Sequence, residues 1–105
     1  MNPDELQERV EYEIAANQRA LDLAKSLERL EQNKDFQKLI LDGYFVNEAV
    51  ENVAALSAPA VDTAASQAKI FEQLRAVSQL QQYFIKVRAF GSFAASALAE
   101  YEAEE

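Results

Sequence analysis

The sequence contains no cysteine, no histidine and no tryptophan among its 105 residues. Without cysteine there is no disulfide framework and no thiolate nucleophile, so packing alone must hold the fold. Without histidine the commonest general base is missing, and the two absences together remove the usual ligands of zinc, copper and haem. We therefore expect no soft-metal site and no cofactor.

Catalysis by other groups is also disfavoured. Two glycines are too few for a phosphate-cradling loop. Carboxylate pairs do occur, such as Glu8 with Glu11 and Glu100 with Glu104, but an acid and a base need a burying cleft to separate their pKa values. Both pairs lie near an end of the chain, where solvent reaches them. We predict that the protein is not an enzyme.

The low content of glycine and proline, two of each, favours helix along almost the whole chain. A length of 105 residues suits one domain. We predict an all-α fold, a single domain over residues 1–105. We expect this domain to be a small helical bundle. Its long N- and C-terminal helices should pack antiparallel, with two short helices between them in the sequence. The predicted helices span about residues 3–32, 34–42, 47–57 and 62–101.

Local signals set these boundaries. Asn2 is a suitable N-cap for the first helix, and Glu5 occupies the capping-box position three residues later. Gly43 is expected to close the second helix in the left-handed conformation. The remaining predicted N-caps are Asn47 for the third helix and either Asp62 or Thr63 for the last.

Neither a secretory signal nor a membrane span is expected. The first residues are acidic and lack the basic and apolar regions of a signal peptide. The longest uncharged runs, residues 52–61 and 89–99, have about half of the roughly 20 residues that a spanning helix needs. We expect no export and no membrane partner.

The net charge of −8 is concentrated at the two ends of the chain. Antiparallel terminal helices would bring both ends together in one acidic pole. Two interpretations are open: a solvated tail, or a surface that docks on a basic partner. The acidic balance disfavours direct binding to nucleic acid. The candidate residues of this acidic pole are Asp4, Glu5, Glu8, Glu11, Glu100 and Glu104.

The last helix is apolar on two sides. One side carries a broad face that we assign to the core: Ile70, Leu74, Val77, Leu80, Phe84, Ile85, Val87 and Leu98. The other side carries aromatic residues among small ones and is the predicted protein interface: Tyr83, Phe90, Phe93, Ala94 and Tyr101. A second subunit would cover this side, which suits a homo-oligomer. Alternatively, the connecting segment with Tyr44, Phe45 and Val46 covers it, or a kink at Gly91 folds it inward.

Several segments resemble small, uncharacterised, acidic helical proteins of tailed bacteriophages. They are residues 27–30 (LERL), 33–36 (NKDF), 39–45 (LILDGYF) and 48–50 (EAV), with Leu80, Tyr83, Phe84 and Gly91 further on. The matching residues are structural, so the resemblance supplies no catalytic residue. It implies a phage gene whose product either assembles the virion or acts on host machinery.

Two functions follow as hypotheses. In the first, the protein is a non-enzymatic phage assembly or virion-associated protein that oligomerises through its last helix. Its partners are further copies or a phage structural protein. In the second, it is a small host-directed inhibitor that binds a host protein through the acidic pole. Either function places it in the host cytoplasm or in the virion.

Overall fold

A computed structural model of the protein describes residues 2–104. These residues form helices and no strand, which confirms the all-α prediction. The α-helices are α1 (Pro3–Glu31), α2 (Lys34–Phe36), α3 (Ala49–Ala55) and α4 (Ala64–Glu104), and the π-helical segment Gln37–Glu48 joins α2 to α3. The long N- and C-terminal helices contact each other, as predicted.

The chain divides into two compact units. The first unit combines residues 2–29 with residues 85–104, and the second consists of residues 30–84. Helix α4 therefore contributes to both units. The single domain over residues 1–105 stays a prediction, and its two terminal residues lie outside the described range.

Side-chain caps start the two long helices. The Asn2 Oδ1 atom accepts a hydrogen bond of 2.8 Å from the Glu5 backbone N–H, and the Glu5 carboxylate accepts one of 3.4 Å from the Asn2 N–H. This reciprocal pair is the predicted capping box. At α4, the Thr63 hydroxyl accepts a hydrogen bond of 3.1 Å from the Ser66 N–H. Thr63, and not Asp62, is therefore the cap.

The middle of the chain differs from the prediction. Residues 34–55 form one uninterrupted helical segment in place of two short helices separated at Gly43. No described residue has a positive φ angle, so Gly43 is not a left-handed C-cap. Asn47 lies inside the π-helical segment, and α3 begins after Glu48 without a side-chain cap. The predicted break at Gly43 is therefore wrong.

A different constraint explains the glycine at position 43. In a π-helix each carbonyl pairs with the residue five positions ahead, which widens the turn. A Cβ atom at Gly43 would lie only 2.9 Å from the carbonyl oxygen of Lys38, five residues earlier. Any other residue would push against that oxygen, so the absence of a side chain accommodates the wide turn.

Phe84 is the centre of an aromatic cluster in the second unit. Its ring centroid lies 5.6 Å from that of Phe45 in an edge-on arrangement and 5.9 Å from that of Phe36. Tyr44 contacts Phe45 in turn, at 5.9 Å. Aromatic pairs of this geometry contribute about 0.5–1.5 kcal/mol each beyond burial. The cluster holds the π-helical segment against α4.

The first unit is an antiparallel pair of helices. Gly91 of α4 lies against Ala24 and the carbonyl of Ala20 in α1. Ten residues further along α4, the Tyr101 hydroxyl donates a hydrogen bond of 2.9 Å to the Glu13 carboxylate. Residues later in α4 therefore contact residues earlier in α1, which confirms the predicted antiparallel packing. Helix α4 continues through Gly91 without interruption.

The close approach at Gly91 gives a direct test of this packing. A Cβ atom added at Gly91 would fall on the Ala24 Cβ atom, so Gly91→Ala should force the helices apart. We expect a loss of about 1–3 kcal/mol in the free energy of unfolding, measured by urea denaturation.

The double variant Gly91→Ala with Ala24→Gly moves the methyl group to the other helix and should recover most of that loss. Ala24→Gly alone, which costs about 1 kcal/mol through helix propensity, is the matched control. Additive losses in the double variant would contradict the contact.

Candidate interaction surfaces

Two aromatic rings of α4 in the first unit lie on the surface. Phe93 is 75% exposed and Phe90 is 56% exposed. The ammonium group of Lys86 lies 5.5 Å from the centre of the Phe90 ring, in a cation–π arrangement. Phe90, Phe93 and Lys86 share one side of the helix, and we call them the aromatic ridge. Exposed rings side by side are typical of a surface that binds another protein.

Tyr83, another aromatic residue of the predicted interface, belongs to the second unit. Its side chain is about half exposed, and its ring centroid lies 6.2 Å from that of Phe84 in the aromatic cluster. Phe45 packs on Phe84, on the side predicted to be core, while Val46 is exposed. Within the segment 44–46, Phe45 therefore contacts the core face.

Ala94 does not belong to the exposed surface. It is 0% exposed, and Gly91, one helical turn earlier, is also buried. Its assignment to the interface is corrected accordingly. The reason is geometric: Ala94 follows Gly91 by three positions and so lies on the same helix face, where α1 approaches. Small residues there allow the two helices of the first unit to pack closely.

Tyr101 is half-buried, and its hydroxyl is already engaged by Glu13. This hydrogen bond raises the pKa of Tyr101 above its usual value of 10.0, and desolvation and the charges of Glu13, Glu104 and Glu100 act in the same direction. Ionised tyrosine would place a second negative charge against the Glu13 carboxylate. Tyr101 therefore joins the two helices near the end of α4.

The acidic residues of the predicted pole all lie in the first unit, and all six are exposed. From the contacts at Gly91 and Tyr101, the level of Glu104 on α4 corresponds to about residue 11 on α1. Glu11 and Glu104 thus lie at the same end of the helix pair. The remaining acids of the pole sit on either side of this level: Asp4, Glu5, Glu8 and Glu100.

Part of this pole has a local structural role. Glu5 completes the capping box of α1, and Glu11 accepts a hydrogen bond of 3.1 Å from the Gln7 side chain. Asp4 and Glu5 also complement the positive end of the α1 dipole. Glu100 and Glu104 lie at the negative end of α4, where carboxylates are unfavourable.

Sequence patterns missed a groove between α1 and α4 in the first unit. It encloses about 440 Å³, and its sides combine half-exposed apolar residues with exposed alanines. Lys25 and Glu102 supply opposite charges along it. The residues that we use to define this α1–α4 groove are Ile14, Leu21, Lys25, Ala95, Leu98 and Glu102. Only the register of the two helices reveals that these positions share one surface.

No protein family, no curated protein and no solved structure matches this chain. Within residues 2–104, no three acidic side chains are grouped in a way that could hold a metal ion. In the same range, no helix is both long enough and apolar enough to cross a membrane.

The hydrogen bond between Tyr101 and Glu13 predicts a specific dependence on pH. Folding raises the pKa of Tyr101. The hydrogen bond therefore stabilises the fold fully below the unfolded pKa of about 10, and this stabilisation is lost as the pH rises through the folded pKa. The melting temperature of the native protein should therefore fall more between about pH 8 and 11 than that of Tyr101→Phe.

Tyr12→Phe is the control, because Tyr12 is 69% exposed and does not join the two helices as Tyr101 does. It should follow the native curve. If the Tyr101→Phe and native curves ran parallel up to high pH, the hydrogen bond would contribute nothing to folding.

Proposed function

We propose that this protein is a non-enzymatic assembly or virion-associated protein of a tailed bacteriophage that oligomerises through α4. The observation that carries the proposal is the aromatic ridge, in which Phe90 and Phe93 remain exposed on the folded chain. The resemblance to small acidic phage proteins supports the phage context. A phage assembly protein would act in the host cytoplasm or in the particle. Its partners would be further copies or a phage structural protein.

Burial of the two rings of the ridge would contribute a substantial part of the free energy of association. Complete burial of one phenylalanine side chain contributes about 1.5–3 kcal/mol. Phe90 and Phe93 are already partly covered, so the gain on association is smaller than the sum of two full values. Even about 3 kcal/mol corresponds to more than a hundredfold change in the dissociation constant.

The double substitution Phe90→Glu with Phe93→Glu tests the proposal. Burying carboxylates at a subunit contact is strongly unfavourable, so this variant should be an 11.8 kDa monomer at every concentration. Light scattering behind a sizing column should give a larger mass for the native protein. Far-UV circular dichroism should show unchanged helicity, because both sites are exposed.

Leu6→Glu with Ile85→Glu is the matched control, since it also replaces two exposed apolar residues of the first unit by acids. Leu6 lies near the start of α1, and Ile85 points about 140° around α4 from Phe90. The control should keep the native mass. Equal masses for the native protein and the Phe90/Phe93 variant would refute the ridge as the contact.

A second candidate function is inhibition of a host protein through the acidic pole. The antiparallel contacts of the first unit favour it, because they bring Glu11 and Glu104 to one end of the helix pair. Glu100 and Glu104 also lie where local helix stability disfavours them. A basic partner surface would explain their placement.

Binding through exposed carboxylates should weaken steeply with salt, because such charges are screened over about 10 Å at 0.1 M. A tagged protein should therefore capture a bacterial partner at low salt and release it as salt rises. A variant carrying Glu8→Gln, Glu11→Gln, Glu100→Gln and Glu104→Gln should fail to capture it. Capture that withstands both high salt and these substitutions would exclude the acidic pole.

A further inference from the structure

The first unit carries two different apolar surfaces, the aromatic ridge and the α1–α4 groove. We propose that copies of this chain associate head to tail, with the ridge of one copy seated in the groove of the next. This inference rests on the proposed self-association and specifies the contact. It names a second copy of the chain as the occupant of the groove.

The ridge and the groove are separate surfaces on the same helix. Phe93 belongs to the ridge and Ala95 to the groove. These residues are two positions apart, and at 100° per residue they point about 160° apart around the helix. A copy therefore cannot place its own ridge in its own groove. Each copy can instead contact two neighbours at once, one through each surface.

The groove has room for the rings. Its volume of about 440 Å³ lies within the range of roughly 300–1000 Å³ found for pockets that hold organic ligands. Ala95 and Ala99 line it with small side chains and are themselves exposed. Bulky residues on the ridge and small residues in the groove are complementary in shape.

The charges of the two surfaces are also complementary. On the ridge side of α4, Lys86 precedes Glu100 by 14 positions, which is about 21 Å along the helix. In the groove, the contact of Gly91 with Ala24 places Lys25 near the level of residue 90, about 18 Å from Glu102. An antiparallel arrangement brings Lys86 to Glu102 and Glu100 to Lys25.

This charge pairing fixes the register of the contact. When Lys86 of one copy meets Glu102 of the next, Phe93 reaches the level of Ala95, and Phe90 reaches that of Leu98. The rings of the ridge thus arrive where the groove is lined by an alanine and a half-exposed leucine. Shape and charge select the same register.

Because the two surfaces differ, the contact is heterologous. Repetition of a heterologous contact builds a closed ring when the rotation closes and an open filament when it does not. Both are products suited to an assembly protein. A contact between two identical ridges would stop at a dimer.

Two single variants, each with one surface disabled, test this arrangement. Phe93→Glu removes the ridge and keeps the groove, while Ala95→Glu obstructs the groove and keeps the ridge. Both sites are exposed, and both changes add one negative charge, so each variant is the matched control of the other. Each alone should have the mass of one 11.8 kDa chain.

A one-to-one mixture of the two variants leaves one working ridge and one working groove. It should form a complex of two chains and no larger species, as measured by light scattering. A mixture that stays monomeric while the native protein associates would overturn the head-to-tail contact and leave self-association intact. A native protein that is monomeric throughout would overturn both proposals.

Cysteine cross-linking tests the register independently, because the chain contains no cysteine. Packed helix axes lie about 8–10 Å apart, within reach of a short bis-maleimide. A mixture of Phe93→Cys and Ala95→Cys should yield a mixed dimer, whereas Phe93→Cys alone should yield little product. Efficient cross-linking of Phe93→Cys with itself would show a contact between two ridges and overturn the proposal.

Discussion

The close approach of α4 to α1 at Gly91 is the constraint on which the arrangement of the first unit depends. There the Ala24 methyl group occupies the space that a side chain at position 91 would need. With Tyr101 bonded to Glu13, this contact sets the register of the two helices. The register brings the acidic ends together, creates the groove on one side and directs the phenylalanines outward on another.

The same contact explains why small residues accumulate in the last part of α4. A run containing Gly91, Ser92 and several alanines suits close helix pairing of any kind. Within the first unit, Gly91 and Ala94 form the inner face of the helix pair, whereas Ala95 lies in the groove. One run of small residues thus serves two contacts, the internal one and the proposed external one.

Local signals allowed the helix starts to be predicted from the sequence. Asn2 with Glu5 forms a capping box through hydrogen bonds between neighbours, and such bonds depend on sequence spacing alone. The two-sided apolar pattern of α4 likewise follows from helical periodicity. Periodicity correctly assigned Ile70, Val77 and Val87 to the core and left open whether Phe93 is covered. It wrongly assigned Ile85 to the core, since that side chain is 50% exposed.

Features that depend on long-range register were not predictable from the sequence. Gly43 is a strong stop signal by propensity, yet it lies within a continuous helix. A glycine suits this π-helical turn, because the Lys38 carbonyl lies too close to position 43 for a side chain. Ala94 lies only about 40° around the helix from Phe90, so a helical wheel cannot separate buried from exposed there. The groove requires positions on two helices to be aligned.

Folding leaves the aromatic ridge exposed, and we propose that a second copy covers it. The most direct test is the absolute mass of the native protein in solution, by light scattering across a dilution series at low and high salt. Burial of apolar surface is not weakened by salt, so we expect a mass above 11.8 kDa that grows with concentration and persists at high salt. A mass of one chain at every concentration and salt would show that no second copy covers the ridge.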